Sequence, residues 1–280
     1  MVNIIPSNYE HTNLPVFQSE EAILYHGDAE DTLKLLHPSS VDMIFADPPY
    51  KLSNGGMTCQ SGKIACVNKA KWDISQGIED DFSFYMGWIY ACKRVLKPNG
   101  TIWITGTYHN IFMCGYALQV QGWHILNDII WYKPNASPNL SCRVFTASHE
   151  TLIWAKLNKK SKHYFDYEAM KCGDWHKDTL KVKGKQMRSV WSITGPQNSE
   201  KIFGRHPTQK PLLLLKRIIQ ASCPKNGLVL DPFCGSGSTG VASLMLNRRF
   251  IGIDSNIEYL TDLAIPRISS QIEEASHGTR

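Results

Sequence analysis

Short apolar runs of strand length alternate along this chain with amphipathic stretches of helical spacing, the pattern of an α/β fold. Ala22–Tyr25 reads as a short strand closed by Gly27-Asp28, and Asp31–Leu36 as a helix stopped by Pro38. Val41–Ala46 is apolar apart from Asp42 and reads as a strand buried on both faces. A helix is expected from Asp80 or Asp81, either of which can cap it, to about Leu96, with Phe84, Trp88, Ala91 and Val95 on one face. Pro98-Asn99-Gly100 marks a turn, Thr101–Thr105 a strand, Asn110–Val120 a helix, and Ile125–Trp131 and Thr151–Ala155 two more strands. Thr208 can cap a helix running from Pro211 to Ala221. Then come a strand at Leu228, a glycine-rich turn, a helix through Leu246, a strand at Arg249–Ile253 and a last helix from about Asn256 to Glu274. Residues 51–77 hold Asn54-Gly55-Gly56, Ser61-Gly62 and Gly77 with few periodic apolar positions, and read as a long lid or binding loop.

Charge changes this picture in one place. The chain has 30 basic and 25 acidic residues, a mild excess that permits a polyanionic partner without demanding one. Between Lys156 and Arg188, however, ten Lys or Arg face four acids, a surplus larger than the net +5 of the whole chain. Tyr164, Phe165, Tyr167, Trp175 and Trp191 lie in or just beyond that stretch. Residues 134–202 are therefore read as an insertion, carrying nucleic-acid contacts and one core strand near 150–156. It separates two halves of one α/β domain, 1–133 and 203–280.

Eight cysteines without a Cys-x-x-Cys pair read as reduced thiols of a cytoplasmic protein. Cys172 and His176 lack the other half of a zinc site, so no metal is expected. Residues 98–127 carry no Asp, Glu, Lys or Arg, yet Asn99, Thr105, His109, Asn110 and Gln119 make a membrane span a poor reading. The first residues lack the basic-then-apolar order of a signal peptide.

Two motifs carry the chemistry. Asp47-Pro48-Pro49-Tyr50 follows the most apolar strand, and two prolines cannot continue its ladder. A carboxylate, rigid carbonyls and an aromatic ring are thereby gathered at the carboxyl end of a strand, where open α/β sheets bind ligands. The second motif is Leu228-Val-Leu-Asp231-Pro-Phe233-Cys-Gly235-Ser236-Gly237-Ser238-Thr239-Gly240. Its glycines, with Asp254 nineteen residues after Gly235, also spell a dinucleotide fingerprint, so a nicotinamide enzyme competes. Asp231 argues against it, since an acid just before the glycines would repel a pyrophosphate but suits an ammonium group.

Together the motifs resemble the amino-methyltransferases of DNA that use S-adenosylmethionine. Catalytic motif first and cofactor motif second is the order of that family's β group, and the likeness runs from about Leu24 to Leu263. It implies a doubly wound, mostly parallel sheet with permuted motif order and methyl transfer to the N6 of adenine. Asp47 favours adenine over cytosine, because members acting on cytosine N4 usually carry Ser there. By the resemblance, Asp47 and the Pro48 carbonyl accept from the target amine, Pro49 fixes the turn, and Tyr50 stacks on the flipped base. The cofactor is implied to lie against Asp28, Ala29, His206, Thr208, Lys210, Asp231, Phe233, Gly235, Ser236, Gly237, Ser238, Thr239 and Asp254. Asp28 has the plainer role of capping the helix after it, and so does Thr208.

Asn135–Arg143, Leu52–Gly56 and Gly184–Met187 resemble a narrower subgroup, the second, Dpn-type adenine methyltransferases of restriction systems reading GATC. That subgroup is associated with acceptance of single-stranded as well as double-stranded DNA. Asn54, Asn139, Arg143, Lys181, Lys183, Lys185 and Arg188 are the expected DNA contacts, Asn suiting adenine and Arg guanine. The family is bacterial or phage-encoded and its members often form homodimers. Two rivals stay open: a silent nucleic-acid-binding partner of an active enzyme, and a cytosine-N4, RNA or protein-amide methyltransferase.

Overall fold

The computed structural model describes residues 14–52, 57–60, 63–66 and 73–277. Nine strands form one sheet in the order β1-β2-β11-β10-β3-β6-β8-β7-β9. These are β1 (Phe17–Gln18), β2 (Ala22–His26), β3 (Val41–Ala46), β6 (Leu96–Gly106), β7 (His124–Tyr132), β8 (His149–Lys156), β9 (Val190–Ser192), β10 (Leu228–Asp231) and β11 (Arg249–Asp254). The run β2, β11, β10, β3, β6 is parallel throughout. Beyond it β8 runs antiparallel to both β6 and β7, and β9 closes that edge parallel to β7.

Helices cover both faces. Met43 and Phe45 of β3 pack into one layer with α5 (Leu212–Ser222), α6 (Ser238–Met245) and the final helical stretch. That stretch comprises α7 (Ile257–Tyr259), a π-helical turn (Leu260–Ala264) and α8 (Ile265–His277). Ile44 and Ala46 point into the other layer, made by α1 (Ala29–Leu35), α2 (Ile78–Val95) and α3 (Ile111–Val120). This is why all six residues of β3 are buried. Asp42 is tolerated there because both its oxygens accept from Lys97 at 2.8 Å and one accepts the Leu228 amide. After β3 the chain leaves towards the layer of α2, and after β10 towards that of α6. The carboxyl ends of these two neighbours therefore flank a topological switch point.

Several local expectations change. Residues 57–60 and 63–66, within the expected loop, pair as an antiparallel hairpin, β4 with β5. Neither Asp80 nor Asp81 caps α2. The helix starts after Gly77, and the Asp81 carboxylate accepts from Ser75 Oγ and the Gln76 amide instead. Pro98-Asn99-Gly100 lies inside β6, where the register with β3 shifts, and Gly100 leaves no room for a side chain against the Asp42 carbonyl. Thr208 does not cap α5, whose first amide is taken by the Glu200 carboxylate.

The stretch from 134 to 202 contributes more than one strand to the main sheet. β9 forms its edge, and α4 (Tyr167–Cys172) packs on α5. Asp178, one of the four acids of the basic stretch, is buried 2.6 Å from the guanidinium of Arg217. Trp175 and Trp191 are core residues whose rings lie 4.8 and 5.0 Å from that same guanidinium. Their burial removes these two aromatics from any stacking surface.

Candidate active site

The turn after β3 is fastened on both sides. The Pro49 carbonyl accepts from Tyr85 of α2 at 2.8 Å, and the Lys51 and Leu52 amides donate to the Asp73 carboxylate at 2.7 and 3.1 Å. Lys51 takes the left-handed conformation (φ 59°) as the chain turns away. Asp47 is thus held at the rim while Tyr50 is directed inwards, only 6% exposed.

The polar groups of this corner form one network. The Tyr50 hydroxyl stands 2.8 Å from Asp47 Oδ1, 2.9 Å from Glu150 Oε2 and 3.1 Å from Thr105 Oγ1. Lys210 Nζ donates to Asp47 Oδ2 at 2.5 Å, lies 3.7 Å from Glu150 Oε2 and sits 5.3 Å from the Tyr50 ring centroid. Lys133 donates to the other Glu150 oxygen.

Burial raises the Asp47 pKa, and the Lys210 ammonium offsets only part of that rise. Burial acts on Glu150 in the same direction, but Lys210 and Lys133 outweigh it and bring the group down to about 2. Burial alone would lower Lys210; the two carboxylates reverse this and raise it, so it stays an ammonium. Burial and the two carboxylates push the Tyr50 phenol well above its ordinary value.

Across the switch point, β10 ends in Asp231 and the glycine turn follows. Asp231 accepts from the Phe233 amide at 2.9 Å and from Thr239 Oγ1 at 2.6 Å. Its pKa is nevertheless pushed up to about 7, mainly by burial. Gly235 and Gly237 both take positive φ, 50° and 73°, conformations that side chains disfavour. A Cβ on Gly237 would also approach Ala264 to 3.0 Å. Asp254 closes the turn from the end of β11, accepting the Gly235 amide at 2.7 Å and the Asn256 amide at 2.9 Å. Ser236 and Ser238 direct their hydroxyls to the buried Arg267, each 2.9 Å from its guanidinium. The three hydroxyls of this turn are therefore engaged within the protein.

Between these two corners opens a cleft, continuous with solvent on one side. Asp28, Ala29, His206, Thr208, Lys210, Asp231, Phe233, Gly235, Ser236, Ser238, Thr239 and Asp254 all line it, as do Asp47 and Pro49. Gly237 does not; its part is close packing. Asp28 also caps α1, with Oδ1 accepting from the Glu30 and Asp31 amides. His206 stacks edge-on against Tyr259 at 4.3 Å, and its Nδ1 meets the Thr208 amide and hydroxyl at 3.3 Å.

The cleft fits S-adenosylmethionine. Desolvated Asp231 suits an ammonium or sulfonium; Phe233, held against Trp88 and Phe84, adds an apolar wall; Asp254 and Asp28 suit hydroxyl or amine donors. Lys210, expected beside the cofactor, belongs to the Asp47 corner as well. Glu150, Thr105 and Lys133 are the residues that sequence reasoning did not find. A carboxylate opening the apolar run Thr151–Ala155 was the available signal for the first.

The expected DNA contacts are spread over the rim. The β7–β8 connection leaves the sheet at Tyr132 and returns at His149, at the same end as Gly106 of β6 and therefore on the edge that carries Asp47. Arg143 is exposed there beside a fully exposed Phe145. Asn139 is half-buried, its Oδ1 accepting from the Ser141 amide and hydroxyl. Lys181 spends its ammonium on three carbonyls, those of Lys171, Val182 and Lys185. That organises the loop and leaves Lys183, Lys185 and Arg188 exposed. Asn54 lies outside the described residues.

Comparison with known proteins agrees with this geometry. Residues 41–265 match the N6/N4 methyltransferase family, described as DNA methylase. The chain is 51% identical over 247 residues to the type II methyltransferase M2.LlaDCHI of Lactococcus lactis subsp. cremoris, covering 88% of this chain and 89% of that protein. It is 48% identical over 261 residues to the type II methyltransferase M2.DpnII of Streptococcus pneumoniae, covering 92% and 94%. Among solved structures, the complex of M1.HpyAVI with S-adenosylmethionine superposes with a TM-score of 0.64 at 29% identity, over 88% of this chain and 98% of that one. This chain belongs to the N6/N4 family of DNA methylases.

Proposed function

We propose that the chain transfers a methyl group from S-adenosylmethionine to the exocyclic N6 of adenine in DNA. The observation that carries this reading is that Asp47 and the Asp231 glycine turn line one and the same cleft. When bound, S-adenosylmethionine supplies an electrophilic methyl group on a sulfonium. The protein's share is positioning and electrostatics. Asp47 and the Pro48 carbonyl accept from the two N–H bonds of the amine and aim its lone pair across the cleft. Lys210 keeps Asp47 ionised for that task. Stacking of the extruded base on Tyr50 requires the corner to open, because the ring is buried beside Lys210. Asp231 would hold the ammonium of the donor, and Thr208 and His206 its carboxylate. Asp254 would hold the ribose hydroxyls and Asp28 the adenine amine.

The resemblance to Dpn-type methyltransferases supports GATC as the site and modification within a restriction system as the role, with single-stranded DNA accepted as well. Arg143 on the β7–β8 rim reads the bases, and Lys183, Lys185 and Arg188 follow the phosphates. The enzyme works in the bacterial cytoplasm, and a homodimer is compatible with the family. Single-molecule sequencing of modified bases in DNA from cells expressing this chain tests the reading. N6-methyladenine confined to GATC is expected; modified cytosine, another word or unmodified DNA would overturn it.

A further inference from the structure

Methylation of an amine leaves a proton to be disposed of, and the corner around Tyr50 is short of one. The Tyr50 hydroxyl has a single hydrogen, yet it stands within hydrogen-bond distance of two carboxylates, Asp47 Oδ1 at 2.8 Å and Glu150 Oε2 at 2.9 Å. With both acids ionised, only one of these contacts is hydrogen-bonded at a time, and the other brings two oxygens together with no proton between them. Adding one proton satisfies both. Thr105 Oγ1 supports the same cluster, 3.1 Å from the phenol and 3.3 Å from Glu150.

From this geometry, and resting on the methyl-transfer reading above, we infer that Asp47, Tyr50 and Glu150 form the path by which the proton released from the target amine leaves the site.

The steps balance. The amine lone pair forms the new N–C bond while the methyl–sulfur bond breaks and its electron pair stays on sulfur. The positively charged nitrogen then loses a proton to Asp47, keeping the N–H electron pair. Asp47 passes its proton to the Tyr50 oxygen as the phenol's own proton moves to Glu150 Oε2. Glu150, whose side chain is 12% exposed beside that of Lys133 at 28%, then gives the proton up to water. The net result is one proton in solvent and an unchanged set of side chains.

The surrounding charges assign capture to one end of the path and release to the other; the step between them runs uphill and is drawn forward by loss of the proton to water. Asp47 is the carboxylate whose proton affinity burial raises, so it captures first. Glu150, flanked by Lys210 and Lys133, holds a proton poorly and passes it on. Tyr50 never needs to ionise, since it donates and accepts together. Glu150 does not touch the target; it is a positioning residue acting through Tyr50.

Two measurements together test the inference. In donor-free protein with carbon-13-labelled Asp and Glu carboxyls, a pH titration followed by NMR should move the Asp47 and Glu150 signals in one coupled step. Tyr50→Phe should separate them. In single-turnover methyl transfer to DNA, Glu150→Gln should be about 10- to 100-fold slower at neutral pH with donor and DNA binding unchanged. Its rate should climb with pH as hydroxide replaces the missing acceptor, and it should show a larger solvent isotope effect. A variant with the wild-type rate and pH profile, independent titration of the two acids, or a slower rate explained by weaker binding would each overturn the inference. A wild-type protein inactive on all DNA yet showing the coupled titration would count against the proposed function while upholding the path.

Discussion

Lys210 Nζ lies 2.5 Å from Asp47 Oδ2 although 163 residues separate the two in sequence. One comes from the segment before α5 and the other from the end of β3, so the contact ties the two halves of the domain together at the candidate active site. Lys210 lowers the Asp47 pKa against the effect of burial. Lys210→Met should therefore raise the Asp47 pKa further. In the proposed mechanism the ionised acid receives the amine, so the acid limb of the pH–rate profile should move to higher pH by roughly 1–3 units, the range for removal of an adjacent opposite charge. Single-turnover transfer from pH 5 to 9 measures it, and an unmoved limb would detach Lys210 from Asp47.

Asp231 supplies a second pH test. Burial holds its pKa near 7 in the folded protein, above its ordinary value. Affinity for S-adenosylmethionine should rise as pH climbs through about 7, where the acid ionises. Asp231→Asn should flatten that profile and weaken binding by roughly 1.5–3 kcal/mol, the range for a hydrogen bond to a charged group. Stability should respond in the opposite sense. Between the unfolded value near 4 and the folded value near 7 the folded state binds more protons, so the donor-free protein loses stability as pH rises through that window. The variant should escape this loss, on the order of 1–4 kcal/mol. Calorimetric titration and thermal melts at pH 5 and 8 report both effects.

Arg217 and Asp178 join the 134–202 stretch to α5 inside the core, the guanidinium lying between Trp175 and Trp191. Its Nε and Nη2 have no hydrogen-bond partner among the described residues, so the pair is already costly. Asp178→Ala should destabilise the protein by about 3–5 kcal/mol, because it leaves a buried cation alone. Urea unfolding measures this. A destabilisation below about 1 kcal/mol would mean that the stretch docks without help from the pair.

Lys183, Lys185 and Arg188 are exposed on the loop that Lys181 braces. Replacing all three with Gln should weaken binding to every DNA sequence alike and reduce the salt slope by about 0.9 for each phosphate no longer neutralised. A salt titration of binding to GATC and scrambled duplexes checks it; an unchanged slope would remove these residues from the interface.

Much of this architecture was legible because it is local. The Val41–Ala46 strand, the prolines that end it and the glycine turn after Leu228 announce themselves within a few residues, and their helices follow by periodicity. What stayed hidden depends on long-range register. Glu150 reaches Tyr50 because β8 pairs antiparallel with β6, placing Thr151 opposite Gly106, and the residues around position 150 do not state that pairing. Composition misled for a related reason. Trp175, Trp191 and Asp178 belong to a basic, aromatic stretch that looks like a binding surface, but their partner Arg217 lies on a helix elsewhere in the chain. Thr208 and Asp81 have the right chemistry for capping, yet another carboxylate and a glycine hold those helix starts.

The central claim is that the Asp47 carboxylate grips the target amine and does nothing for the donor. Asp47→Ala, assayed with tritiated S-adenosylmethionine and GATC-containing DNA, tests it most directly, with donor binding measured on the same preparation. Transfer should fall by a factor of roughly 1,000 or more (about 4 kcal/mol), while the Kd for S-adenosylmethionine stays within about threefold of the wild type. Turnover near the wild-type rate, or a donor affinity that collapses together with activity, would contradict the account.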